Sequence, residues 1–487
     1  MRFNETKEKV APSAISYEGG EVYEKSPLDE WINMLFSDFM EAGFYETQKS
    51  RQERFNELTD IVIQQYGANF VAKAAIFARN ELGMRSISQF VAAKLNAENF
   101  NRKRAFFRTY PHRADDVAEV FAAIDKLQGK RSHACVRGFG DYLSGLNEYT
   151  LGKYKMNNRT YNMYDCINIT HATSAAINNY KAGWLETPDT WEVAISTATD
   201  EESRNKEWKR LVEENKLGYI ALLRNLRNIL DCEGITDAWI CAYLVPQLVN
   251  EEAIHKSLVF PYQIYSAYKN MRIHNVNITT ALSAAFYIAI GNLPKLEGDT
   301  CIILDVSGSM DDPISARSNI TIKEAGAVYA ASILIQNPNC DFIKFGNNAK
   351  AFKYNTLDNI FDIIAAMVAN DDCGYGTDVV PAFWLLDRHY DRIFLISDMQ
   401  IMGHNSYYGY YWARHNVSAD QAYKDYCHNY GAAELYSFDL GNYHTQTSNP
   451  NSPYVHMCTA LNEKVMKFIS LLENGDKLFD YINQVVF

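Results

Sequence analysis

The run Cys301-Ile302-Ile303-Leu304 constrains the fold most, because four uninterrupted apolar residues suit a strand covered on both faces, as in a parallel sheet. It leads into Asp305-Val306-Ser307-Gly308-Ser309, where a carboxylate and two hydroxyls alternate. Ligands of open α/β sheets gather outside the carboxyl ends of the strands, so chemistry is expected at this loop. A second run, Ile393 to Ile396, ends the same way, in Ser397 and Asp398.

The pattern around these runs extends the argument. Pro294-Lys295-Leu296-Glu297-Gly298 breaks a preceding helical periodicity. Beyond it, strands are expected at Thr300 to Leu304, Asp341 to Phe345, Ile393 to Ile396 and Leu435 to Phe438. Helices are expected between and after them, at Ile322 to Ile335, Ile360 to Val368, Val379 to Leu386, Ser418 to Tyr426 and Leu461 to Leu472. Strands alternating with helices imply a doubly wound, mostly parallel sheet over residues 299–487. Residues 340–345 and 351–354 are close enough for a hairpin, which would give one antiparallel edge.

Upstream, after an N-terminal segment of residues 1–24, residues 25–293 read as successive amphipathic helices. Ser26-Pro27-Leu28-Asp29 has the hydroxyl, first-turn proline and early carboxylate of a helix start, and Ser86-Ile87-Ser88-Gln89 has capping-box spacing. Phe70, Ala74, Phe77 and Ala78 recur at helical spacing before Gly83, a natural stop. Further helical stretches run from Ala114 to Leu127, Leu217 to Leu230, Asp237 to Val249 and Asn277 to Ile290. Helix pairs with short connections stack into a helical-repeat array, a ring or an arc.

Composition excludes several classes. A net charge of -12 with 47% hydrophobic residues fits a soluble globular protein and gives no global sign of nucleic-acid binding. Met1 to Tyr17 is polar, without the apolar core of a signal peptide, and no stretch approaches a membrane span, so a cytoplasmic location and no membrane partner are expected. The nine cysteines include no Cys-x-x-Cys pair, the usage of a reducing compartment. Cys427 beside His428 lacks a second pair at zinc-ligand spacing.

Charge is uneven, however. Residues 101–160 hold twelve Lys or Arg against six acids, a window of +6 in an acidic chain. Such a reversal is the footprint of phosphate contacts, and Tyr149, Tyr154, Tyr161 and Tyr164 offer stacking surfaces for unpaired bases. A solvated basic helix face explains the charge equally well, and tyrosines in a chain with 32 of them also fill cores.

The second half also carries a ligand pattern. Asp-x-Ser-x-Ser after one strand, a threonine in Gly374-Tyr375-Gly376-Thr377-Asp378 and an aspartate after a later strand resemble the metal-ion-dependent adhesion site of von Willebrand factor A domains. The resemblance implies metal ligands at Asp305, Ser307, Ser309, Thr377 and Asp398. Hard oxygens with only two carboxylates suit Mg2+ or another divalent cation, which retains water and accepts an oxygen from a partner. Three alternatives compete: a simple turn, an aspartyl phosphotransferase with Asp305 as nucleophile, and a serine hydrolase. Serine at 307 counts against the second, and the missing glycine before the nucleophile counts against the third. The aromatic stretch His404 to Arg414 follows the Asp398 strand and suits docking on the helical domain or on a base.

The first half has its own resemblance. Ala221-Leu222-Leu223-Arg224-Asn225-Leu226-Arg227-Asn228-Ile229 is similar to a hallmark of the TROVE module of the Ro autoantigen family, in its bacterial or phage-like members. In order, Phe77 to Arg85, Arg113-Ala114-Asp115-Asp116, Tyr149 to Lys155 and Phe260-Pro261-Tyr262 resemble further family segments. The resemblance implies a HEAT-like ring that holds a small structured Y RNA-like molecule outside and a single-stranded end of misfolded RNA in its hole. By position it implies RNA contacts at Lys153, Lys155 and His171, with Arg159 nearby. For His171 a satisfied core histidine is the alternative. Arg224 and Asn225 read as structural, bonding between neighbouring helices, and Arg227 suits a pore.

Together these point to a non-enzymatic, two-domain RNA-binding protein, acting in RNA quality control or as a ribonucleoprotein scaffold. A nuclease or helicase is the protein partner expected at the metal-site face, and DNA is not expected. The rivals are a cation-dependent protein-binding module without RNA and, less favoured, a Mg-dependent phosphohydrolase.

Overall fold

The structure, a computed structural model, describes residues 12–37, 47–127, 129–154, 159–185, 191–272, 274–293, 295–315, 318–337, 339–355, 358–370, 372–402, 417–443, 445–449, 452, 454–458, 469 and 478–487. It divides into two compact units, one of residues 1–37, 41–50 and 248–466, the other of residues 38–40, 51–247 and 467–487. The boundary expected at residues 293–299 falls inside the first unit. There the helices Glu251–Ser257, Pro261–Asn270 and Val276–Ile290 share a core with the sheet domain. Tyr268 stacks on Phe361 at 4.0 Å, and Lys269 pairs with Glu324 at 2.7 Å.

The sheet of the first unit has six strands in the order β5-β4-β3-β6-β7-β9: β3 Thr300–Asp305, β4 Cys340–Phe345, β5 Ala349–Ala351, β6 Arg392–Ser397, β7 Glu434–Asp439 and β9 Val455–Cys458. All pairings are parallel except that of β4 with β5. Every residue of β3 and of β6 is buried, as their unbroken apolar runs require. The antiparallel strand begins at Ala349, two residues earlier than expected. Helices occupy Ile322–Gln336 and Ile360–Val368 as expected, while Val380–Trp384 is shorter and Ala419–Tyr430 longer than the periodicity suggested. The helix expected at 461–472, except for position 469, and the aromatic stretch 404–414 lie outside the described residues.

The polar N-terminal segment holds two strands that its sequence did not announce. β1 Ala14–Ile15 pairs antiparallel with β2 Glu21–Glu24, and β2 pairs with β8 Thr445–Gln446. Strands this short gain their stability from what they cover. Here that is the segment after β6: Gly20 N–H donates to the Ile401 carbonyl at 3.1 Å and Tyr17 N–H to Gln400 Oε1 at 2.9 Å. Lys25 is buried against Asp439 at the end of β7, and Asn33 donates to the same carboxylate at 3.2 Å.

The second unit is helical among its described residues, with helices including Ala68–Ile76, Ser86–Leu95, Lys103–Thr109, Asp115–Lys126, His133–Ser144, Met163–Thr170 and Tyr219–Leu230. The helix at Ser86 starts where expected, but without the capping box. Ser88 Oγ turns back to the Met84 carbonyl at 2.7 Å, and Gln89 Nε2 donates to Asp116 at 2.8 Å. The chain's last residues close on this unit, with Phe487 edge-on to Phe106 and Tyr481 edge-on to Phe77. Among the described residues no helix is long and apolar enough to cross a membrane.

Candidate functional site

Three loops meet at the carboxyl end of the sheet. β3 delivers Asp305 and, in the turn after it, Ser307 and Ser309; β6 delivers Ser397 and Asp398; the Gly374–Thr377 loop arrives from the side. Ordinary backbone bonds join them. Gly308 N–H donates to the Tyr375 carbonyl at 2.9 Å, and Met402 N–H to the Thr377 carbonyl at 2.9 Å. All five residues expected as ligands are buried.

Within the site Asp305 accepts from Ser307 N–H at 2.9 Å and from the Ser397 hydroxyl at 2.6 Å. The hydroxyls of Ser307 and Ser309 are 3.4 Å apart, and Asp398 accepts from Gln400 N–H at 3.1 Å. Burial pushes the Asp305 carboxyl up to about 6, against the opposing pull of these hydrogen bonds. Asp398 is also pushed well above the ordinary carboxylate range, first by burial and then by the charge of Asp305, with Asp439 adding to it. Two carboxylates thus share a buried site, and Lys323, whose charge draws Asp305 down, is itself paired with Asp311 at 2.6 Å. That is an electrostatic debt a divalent cation would relieve, and the hydroxyl-rich donor set matches one. Among the described residues no group of three or more His, Cys, Asp or Glu is placed to hold a metal.

Sequence reasoning did not anticipate Gln400, Asp439 or the N-terminal hairpin beside this site. Asp439 carried a usable signal, since Leu435 to Phe438, apolar except for Ser437, is a third expected strand that ends in a carboxylate. Tyr375, in the Gly374–Thr377 loop, stands 67% exposed.

The residues expected to touch RNA are less uniform. Lys153 is half-buried and 3.5 Å from Glu192, so part of its charge is answered. Lys155 lies outside the described residues. Arg159 is exposed. His171 is exposed too, in the left-handed conformation that ends the Met163–Thr170 helix, so it is not a core histidine. Of the four tyrosines, Tyr161 is tied to Asp125 and Arg131, and Tyr154 lies under the Arg113 guanidinium at 5.1 Å. Tyr149 and Tyr164 remain exposed. Asn225 is structural, but it donates to Ala221 of its own helix at 2.9 Å and not to a neighbouring one, while Arg224 and Arg227 are exposed.

Comparison with known proteins agrees with this architecture. The TROVE domain model matches residues 168–279. The fold is similar to the crystal structure of the Ro (RSR) protein of Deinococcus radiodurans, at 17% identity and a TM-score of 0.61, covering 89% of this chain and 96% of that one. No curated protein sequence matches the chain.

Proposed function

We propose that this chain, which carries a TROVE domain in a fold similar to that of a bacterial Ro protein, is a non-catalytic RNA-binding protein that holds small structured RNA and accessible single-stranded ends. What carries the reading is the TROVE match over residues 168–279. It begins in the helix that presents His171 and includes the Tyr219–Leu230 helix with its exposed Arg224 and Arg227. Lys153, Lys155, Arg159 and His171 hold phosphates, the chain acts in RNA quality control or as a ribonucleoprotein scaffold, and a Y RNA-like molecule is its resident partner.

At the sheet, Asp305, Ser307, Ser309, Thr377 and Asp398 would hold Mg2+. When bound, such an ion supplies an electrophilic position that prefers a carboxylate or phosphate oxygen. The chain's own residues supply the rest: Gln400 N–H and Ser397 Oγ fix the two carboxylates, and exposed Tyr375 flanks the approach. Asp305 is buried with both oxygens engaged, which suits a docking site for a nuclease or helicase partner better than an attacking nucleophile.

The test is the salt dependence of RNA binding. Lys153→Ala with Lys155→Ala is expected to weaken binding of a hairpin RNA and to lower the slope of log affinity against log salt by up to about two, at about 0.9 per lost phosphate contact. Glu192 takes part of the Lys153 charge, so Lys153→Ala alone has the smaller effect. Unchanged affinity and slope in the double variant, measured by fluorescence anisotropy, would remove these lysines from the interface.

A further inference from the structure

We propose that Arg104, Arg108 and Arg137, on two closely packed helices, form a second phosphate-contacting surface that grips the backbone of structured RNA. This rests on the RNA-binding reading above but assigns contacts to helices upstream of the lysine segment.

The surface is built by a close approach. A Cβ on Gly138 would lie 2.5 Å from the Arg104 carbonyl oxygen and 2.6 Å from Phe107 Cβ, so glycine lets the His133–Ser144 helix lie directly on Lys103–Thr109. Arg104 and Arg108 are one turn apart on the first helix, and Arg137 and Asp141 one turn apart on the second. Contact at Gly138 therefore gathers four charged side chains. Arg104 forks onto Asp141 with two bonds of 2.7 Å. That hydrogen bond, aided by the fields of Arg104, Arg108 and Arg137, holds the Asp141 carboxyl below its ordinary range despite some burial. One carboxylate thus answers three guanidiniums.

The excess is accessible. Arg104, Arg108 and Arg137 are all exposed, and neither Arg108 nor Arg137 forms an ion pair among the described residues. Two uncompensated guanidiniums, beside a third whose orientation Asp141 fixes, are poorly suited to a single small carboxylate. Their planar forks match successive phosphates. Lysines pinned by backbone carbonyls, such as Lys103 on Asn96 and Glu98, do not offer this.

The same helix reaches the other candidate contacts. A Cβ on Gly140 would lie 2.9 Å from the Thr170 carbonyl oxygen, and Thr173 N–H donates to Ser144 Oγ at 3.1 Å. The turn carrying His171 is therefore seated on the helix that carries Arg137. An RNA backbone held at His171 has the arginine cluster on the next helices across. Contacts from helix flanks to phosphates position a duplex without reading its sequence.

The experiment uses the full chain and a synthetic RNA hairpin with a single-stranded tail, titrated across a range of salt. Arg108→Gln with Arg137→Gln is expected to weaken binding and to lower the salt slope by about two, with an unchanged melting temperature. Arg108→Lys with Arg137→Lys is expected to keep the slope. Lys206→Gln with Arg210→Gln, a pair of cations on another helix, is the control and should leave it alone. An unchanged slope in the Arg→Gln pair, or an equal loss in the control pair, would overturn the assignment. So would retained RNA binding with loss of binding to polyglutamate, which would mark a surface for acidic protein. Absence of RNA binding by the unaltered chain would instead refute the functional reading beneath it.

Discussion

Arg79→Met is expected to cost the helical unit about 3–5 kcal/mol, the range for a buried charge stripped of its partner. Arg79 and Asp116 are both almost fully buried, and the guanidinium meets the carboxylate through Nε at 3.0 Å and Nη2 at 2.9 Å. Asp116 also accepts from Gln89 at 2.8 Å and from the backbone N–H groups of His112 and Arg113, at 3.0 and 2.9 Å. One carboxylate therefore joins the end of one helix, the face of a second and the start of a third. Removing the guanidinium leaves an anion in a dry site with only neutral donors. Adding Asp116→Asn is expected to recover part of the loss, because the amide oxygen still accepts from the backbone while the charge is gone. Urea denaturation followed by helical circular dichroism measures both. A single variant within about 1 kcal/mol of the unaltered chain, the scale of an ordinary hydrogen bond, would show that the ion pair is not what binds these helices.

That pair also changes the meaning of the family resemblance. Arg79 lies in Phe77 to Arg85 and Asp116 in Arg113-Ala114-Asp115-Asp116, two stretches similar to TROVE segments. In space they are one structural contact, so their likeness speaks to the fold and not to RNA. Arg79→Met is accordingly expected to leave RNA affinity per folded molecule unchanged.

What was legible in the sequence follows from how local each signal is. β3 and β6 announced themselves because burial on both faces demands unbroken apolar runs, and the gathering of Asp305, Ser307, Ser309 and Asp398 at one end of the sheet could be foreseen because each follows a strand. The N-terminal hairpin was invisible: Ala14–Ile15 and Glu21–Glu24 are held by residues near position 400 and by β8. Ser86 to Gln89 satisfied a capping pattern that tertiary partners overrode, since Asp116 claims Gln89. The basic window of +6 overstated its free charge for the same reason. Arg104 with Asp141 and Arg131 with Asp125 pair across turns and helices that a charge count does not see.

Asp305→Asn is the second large effect, and its sign depends on the cation. Without metal, Asp305 titrates near 6 in the folded chain against an ordinary 3.8. A raised folded value means that the group's contribution to stability is fully present below the unfolded value and is lost as pH rises through the folded one. The metal-free protein should therefore lose stability from this carboxyl as pH rises from 4 to 7. Asp398, raised in the same direction, adds to the loss. Asparagine cannot ionise, and its amide can both accept from Ser307 N–H and donate to Ser397 Oγ, the two partners Asp305 uses. The variant should therefore be more stable than the unaltered chain at pH 7 in chelator, with a flatter pH profile. Mg2+ in large excess reverses the ranking: at a thousandfold excess over its dissociation constant a bound ion contributes about 4.1 kcal/mol, to the unaltered chain alone. Melting temperatures at pH 4, 5.5 and 7, each with chelator and with Mg2+, give the full comparison. A flat profile in chelator would remove the carboxylate repulsion, and a Mg2+ increment that survives Asp305→Asn would place the ion elsewhere. If both effects vanish together in the variant, the buried repulsion and the cation site are one property of these two aspartates.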